Sequence, residues 1–217
     1  MTDSSPLFLF DGPADARATI LLAHGAGAPM DSDWMNAVAA ALAGENLRVA
    51  RFEFAYMAGR RTGAGKKPPP KAEKVMEEYR RAVAALDAHT PLIIGGKSMG
   101  GRVASMVTDE LAASGQVHGL LCLGYPFHPP GKPEKLRTAH LADMTTPALI
   151  CQGARDPFGN ESEVGDAPVW PAIALNWFAD GHRVRKPRTA SGMTLDQHIA
   201  AVAKAARALA DRIIAET

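Results

Sequence analysis

A chain of 217 residues with 47% hydrophobic and 22% charged residues has the composition of a globular protein that buries a sizeable core. Its formal net charge is +1, too close to balance for a global attraction to nucleic acid or to a membrane surface. Cys122 and Cys151 sit inside apolar runs, form neither a disulfide framework nor a zinc pattern, and read as buried thiols. No segment reaches the roughly 18 apolar residues of a membrane span. The N-terminal MTDSSPLFLFDGP lacks a basic start, so no signal peptide is expected and the expected location is the cytoplasm. One domain over 1–217 is the simplest organisation for this length.

Short apolar runs alternate with longer helical stretches. LFLF (7–10) and ATILLAH (18–24) read as strands. Asp31, Ser32 or Asp33 caps a helix in which Trp34, Val38, Ala41 and Leu42 recur at spacings of three and four. LRVARFEF (47–54) alternates apolar and polar residues, the pattern of a half-exposed strand. KAEKVMEEYRRAVAALDAH (71–89) predicts one long helix with Val75, Met76, Tyr79, Val83 and Leu86 on its apolar face. PLIIGG (91–96) reads as a buried strand and MGGRVASMVTDELAAS (99–114) as a helix. VHGLLCLG (117–124), PALICQG (147–153) and PAIALNWF (171–178) are further strands. TLDQHIAAVAKAARALADRIIAE (194–216) is a closing helix with Thr194 as its N-cap. Strands separated by helices predict an α/β fold: a mostly parallel sheet of about seven strands, helices on both faces, and functional groups at the carboxyl ends of the strands.

Two segments resist a regular reading. YMAGRRTGAGKKPPPK (56–71) carries Arg60, Arg61, Lys66, Lys67 and Lys71 and no acid; it is either a solvated loop or a rim that attracts an anionic substrate or partner. GYPFHPPGKPEKLRTAHLADMT (124–145) holds too many prolines for a long lid helix, which predicts a small connection and no large cap domain.

GGKSMGGR (95–102) carries the sharpest chemical signal. Gly96-Lys97-Ser98-Met99-Gly100 fits G-x-S-x-G, and it follows a predicted strand and opens a predicted helix, the setting of a nucleophile elbow. Such a turn strains the serine backbone and needs small neighbours where strand and helix touch. It also lifts the hydroxyl to a helix N-terminus, whose dipole favours developing negative charge. A serine needs a base, and the base an orienting carboxylate. His182 lies just past the last predicted strand. Asp156 lies in the turn-rich GARDPFG after PALICQG. Both positions are carboxyl ends of strands, and the chain order is Ser98, Asp156, His182. Asp180, the rival acid, stands two residues from His182, too local to align its ring.

With LLAHGAG (21–27), GYPFHPPGKPEKLR (124–137), PALICQGARDPFG (147–159) and FADGHRVRK (178–186), these residues give the chain a plain resemblance to the α/β-hydrolases. Within them it resembles the compact branch of dienelactone-hydrolase-like proteins and of testis-expressed protein 30 and KAT8 regulatory complex subunit 3 relatives. The resemblance implies a carboxylic ester or thioester hydrolase that uses no cofactor. It implies that HGAG is the oxyanion loop, with the N–H of Ala26 or its neighbour Gly27 paired with that of Met99. His24, Gly25, Gly27, Lys97 and His128 are then the expected substrate-binding positions, with His24 bracing the loop. Lys97 is either a pocket charge or solvated, and His128 either borders the pocket or packs. His198, inside the last helix pattern, reads as structural or superficial, and Trp34, Trp170 and Trp177 as core or pocket wall. Some relatives in this branch are subunits of larger assemblies, so the alternative is an interaction module that binds a protein partner through the basic loop 56–71. No G-x-x-x-x-G-K-[ST] or G-x-G-x-x-G loop is present, so no nucleotide cofactor is expected.

Overall fold

The computed structural model describes residues 6–63, 65, 68–164, 170–179 and 194–217. Its centre is a seven-stranded sheet: β1 (Phe8–Asp11), β2 (Thr19–Ala23), β3 (Arg48–Phe52), β4 (Leu92–Lys97), β5 (Gly119–Leu123), β6 (Ala148–Gly153) and β7 (Ile173–Phe178). The strand order is β1-β3-β2-β4-β5-β6-β7. β1 runs antiparallel to β3, and every other pair is parallel. The order turns at β2: the chain goes out to β3 on one side, then returns to β4 on the other. The crevice beyond the carboxyl ends of β2 and β4 is therefore the topological switch point, where open α/β sheets place their sites.

The helices are α1 (Asp33–Gly44), α2 (Ala55–Arg61), α3 (Met76–Leu86), α4 (Met99–Ala113), α5 (Glu161–Val164) and α6 (Leu195–Glu216). Alternate side chains of each strand enter opposite cores. Leu21, Ile94 and Leu120 pack with Tyr79 and Val83 of α3 and with Val103 and Val107 of α4. Ile20, Ile93 and Leu121 pack with Val38 and Leu42 of α1 and with Val202 and Ala206 of α6. Cys122 and Cys151 are both buried, one in each core, and burial pushes both thiols up, Cys151 to about 12. Thr194 caps α6 in a reciprocal capping box with Gln197. The connection from β5 to β6 contains only a 3₁₀ turn at Ala139–Leu141, so no large cap forms there.

Three local expectations need correction. β3 is buried, not half-exposed: Arg51 is only 5% exposed. Its guanidinium bonds Asp11 Oδ2 (2.8 Å), Met30 O (2.8 Å) and Asn36 Oδ1 (2.6 Å), so a charged residue fits under α1. The segment read as one helix over 71–89 is a 3₁₀ turn at Ala72–Lys74 followed by α3, broken at Val75 (φ −116°, ψ 7°). Part of the irregular basic segment is the helix α2, whose first free N–H, on Ala55, donates to Glu78 of α3 (2.6 Å). At α1 the N-cap is Ser32, and its side chain makes no capping bond.

Candidate active site

Ser98 stands between β4 and α4 with φ 49° and ψ −111°, a positive φ that side-chain-bearing residues rarely adopt. Its N–H donates to Leu123 O (3.0 Å), which ties the turn to β5. The close approach that such a turn demands is visible at both flanking glycines. A Cβ on Gly100 would lie 2.6 Å from both Ala23 O and His24 O. One on Gly96 would press on Ala23 O and lie 2.9 Å from the Gly100 carbonyl carbon. Helix, turn and the end of β2 are thus in backbone contact, which brings Ser98 beside the HGAG loop.

That loop is pinned at each end. His24 is fully buried, and its Nε2 accepts from Phe54 N–H (3.2 Å). Nδ1 therefore carries the proton and donates to Gly25 O (2.7 Å). Burial holds the His24 pKa below the ordinary imidazole value, with the Gly25 carbonyl opposing, so the neutral tautomer is the one the fold favours. A trans peptide points its C=O and N–H to opposite sides. Holding Gly25 O toward His24 therefore turns the Ala26 N–H away from the ring. Tyr56 of α2 donates to Ala26 O (3.1 Å), and burial pushes its phenol up to about 12, so it stays a donor. At the far end Glu53 accepts from Met30 N–H (3.1 Å), and Arg61 grips Asp31 (2.6 Å) and Glu53 (2.6 Å) together. Gly25 is buried, Ala26 is partly exposed and Gly27 is exposed.

Asp156 is fully buried in the turn after β6. Its Oδ1 accepts from Phe158 N–H (2.9 Å) and its Oδ2 from Gln152 Nε2 (3.0 Å). The same Gln152 amide faces Tyr125 O (3.1 Å) and Gly159 O (3.0 Å), joining this turn to the segment after β5. Sequence reasoning passed over Gln152, although a polar residue closing the apolar run ALIC was a usable signal.

The remaining expected residues divide. His182 and the rival Asp180 lie outside the described residues. Lys97 is partly exposed and places Nζ 4.4 Å from the ring centre of Trp34. His128 is 2% exposed, with Nδ1 facing Pro129 O (2.8 Å) and Nε2 facing Glu163 (3.1 Å). It packs instead of bordering the serine. His198 is buried beside Phe178, Trp170 lies in the core, and Trp34 and Trp177 are partly buried. Among the described residues no group of three or more His, Cys, Asp or Glu side chains is placed to hold a metal ion.

Ser98 opens on a cavity of about 400 Å³, whose wall includes Ala26, Met99, Lys71, Glu73, Arg102 and Arg137. The two arginines were missed by sequence reasoning. Arg102 was legible in GGKSMGGR, because a residue four positions along a helix shares the face of the first. Arg137 was not, because a loop residue 39 positions from Ser98 reaches it only through the tertiary fold.

Solved structures share this architecture. A dienelactone hydrolase from Anabaena variabilis matches with a TM-score of 0.72 and 18% identity, over 96% of this chain and 92% of that one. Est1E from Butyrivibrio proteoclasticus matches with a TM-score of 0.67 and 15% identity, over 98% and 100%. A serine hydrolase involved in carbazole degradation matches with a TM-score of 0.66 and 16% identity, over 95% of each chain. Identities this low speak to fold alone. Residues 16–211 match the alpha/beta hydrolase domain family, and that span is nearly the whole sequence. With the seven-stranded sheet, the strained Ser98 turn and this match, the chain belongs to the alpha/beta hydrolase family.

Proposed function

We propose that the chain is a serine hydrolase that cleaves a carboxylic ester or thioester through an acyl-enzyme on Ser98. The observation that carries this reading is the strained Ser98 backbone (φ 49°, ψ −111°) at the switch point, over the start of α4. Ser98 Oγ attacks the acyl carbonyl while His182 takes its proton. The oxyanion is held by the N–H groups of Met99 and Ala26. His182 returns the proton to the leaving alcohol or thiol, and Asp156 holds its ring in the working tautomer. Water, deprotonated by His182, then attacks the acyl-serine, releases the acid and restores Ser98. Each oxyanion donor contributes on the order of 10²–10³ in rate. The pinning of Ala26 by His24 and Tyr56 supports this role, because a preoriented donor needs no rearrangement as charge develops.

The rival reading, a non-catalytic module binding a protein partner through the basic segment 56–71, draws less support. Arg61 is held by Asp31 and Glu53, and Arg60 lies over the Tyr56 ring (5.6 Å), so two of its cations are engaged within the fold. The test is hydrolysis of a chain-length series of esters and thioesters by wild type and by Ser98→Ala, His182→Ala and Asp156→Asn. Turnover by wild type that falls by about 10³-fold or more in Ser98→Ala and His182→Ala is expected. Turnover that survives Ser98→Ala sinks the assignment.

A further inference from the structure

We propose that the cavity beside Ser98 is an anion subsite, and that the substrate carries a carboxylate received by Arg137 with Arg102 and Lys71 in support. This rests on the reading of Ser98 as the nucleophile. Among the described residues the cavity wall carries three cations, Lys71, Arg102 and Arg137, against one carboxylate, Glu73. Arg102 stands one turn of α4 beyond Ser98, its N–H donating to Ser98 O (3.0 Å), and it spends one nitrogen on Glu73 (2.7 Å).

Arg137 differs. Its backbone is fixed on both sides: the N–H donates to Phe127 O (2.7 Å), and the carbonyl accepts from Tyr125 Oη (2.9 Å). Its guanidinium is partly buried, and among the described residues no carboxylate or carbonyl pairs with it. Burial, and then the charge of Arg102, hold its pKa below the ordinary guanidinium value. A rigidly mounted cation beside another cation, without an acceptor, is short of a partner. The planar fork of a guanidinium matches the two oxygens of a carboxylate.

The occupant's size and charge follow from the same wall. About 400 Å³ lies near the lower end of small-molecule sites, which suits a short spacer and not a long acyl tail. Pro126 and Phe158 supply apolar surface for methylenes. Once Glu73 offsets Arg102, one partly buried cation remains among the described residues of the wall, Arg137, with exposed Lys71 at the rim. A single partly buried cation suits a monoanion, so this wall favours a carboxylate over a phosphate dianion.

The test compares monomethyl adipate with neutral dimethyl adipate, in turnover by wild type and in calorimetric binding to Ser98→Ala protein. Monomethyl adipate is expected to show kcat/KM per ester bond, and affinity, about tenfold or more above the neutral diester. Arg137→Gln is expected to bring both ratios close to one, and Arg137→Lys to restore part of them. Equal handling of the two compounds by wild type overturns the subsite, as does an Arg137→Gln variant that keeps both ratios. Pentyl phosphate bound more tightly than monomethyl adipate overturns the carboxylate assignment. A fluorophosphonate adduct on Ser98 without charge preference overturns the subsite and spares the hydrolase reading. Arg137-dependent binding without an adduct sustains the subsite and overturns the nucleophile.

Discussion

Arg51 and Arg61 hold the far end of the loop that runs from His24 to Asp31, whereas Arg102 and Arg137 stand in the wall of the Ser98 cavity. All four carry the same charge, Arg51 in β3 and Arg61 just after it, Arg102 after β4 and Arg137 after β5. The first two are held by acceptors within the fold: both terminal nitrogens of Arg51 bond, to Asp11, Met30 and Asn36, although its Nε stays unpaired, and Arg61 spans Asp31 and Glu53. Among the described residues the second two share a single acid, Glu73, which Arg102 takes. Charge alone does not separate a structural cation from one that awaits a ligand. The count of acceptors around it does.

The largest expected effect falls on the first pair. Arg51→Met strands the Met30 carbonyl, the Asn36 amide and the Asp11 carboxylate. It should cost about 3 kcal/mol, a fall in Tm of roughly 6–12 °C in a thermal melt. A loss near zero would break the contrast between the two pairs. Next comes His24→Phe, which keeps the ring's bulk, leaves the Phe54 N–H without a partner and leaves Gly25 O only the long bond from Tyr56 Oη (3.4 Å). About 2 kcal/mol of stability is expected to go, together with at least about tenfold in the rate of fluorophosphonate labelling, as the Ala26 N–H loses its orientation. Full labelling speed in a destabilised protein would mean that His24 braces the fold and not the donor.

Acidification is a milder probe. Burial lowers the pKa of His24, and burial followed by the Arg102 charge lowers that of His140. Both are neutral in the fold while the unfolded chain takes their protons first. Their stabilisation is therefore complete above about pH 6.5 and is lost as pH falls from there through the lowered folded values. Melts between pH 7.5 and 5 should show Tm falling, with a shallower slope in His140→Gln. An unchanged slope would remove His140 from the account. The smallest stability effect is expected for Arg137→Gln, within about 0.5 kcal/mol of wild type, because no bond is lost. A large loss there would return Arg137 to the structural class.

The sheet was legible because buried parallel strands are short apolar runs between turn residues, and all seven lie where those runs stand. The Ser98 turn was legible for a related reason: the chain spends four glycines where strand and helix backbones touch. What the sequence hid is long-range partnership. Arg51 looked like the polar half of an alternating strand because its partners are 15 to 40 residues away. The α2 helix was masked by the Gly- and Pro-rich run behind it, and its start is completed by Glu78 from α3. Tyr56, Gln152 and Arg137 act through tertiary neighbours that no local spacing marks. His128 was expected at the pocket from its place in a Pro-rich loop, yet Pro129 O and Glu163 draw its ring into packing.

The central claim, an activated serine at the switch point, is most directly tested by intact-protein mass spectrometry after exposure to a fluorophosphonate, with peptide mapping of the adduct. One stoichiometric adduct on Ser98, lost in Ser98→Ala and in His182→Ala, is the predicted result. No adduct on the folded wild type, or one on a different residue, would contradict it.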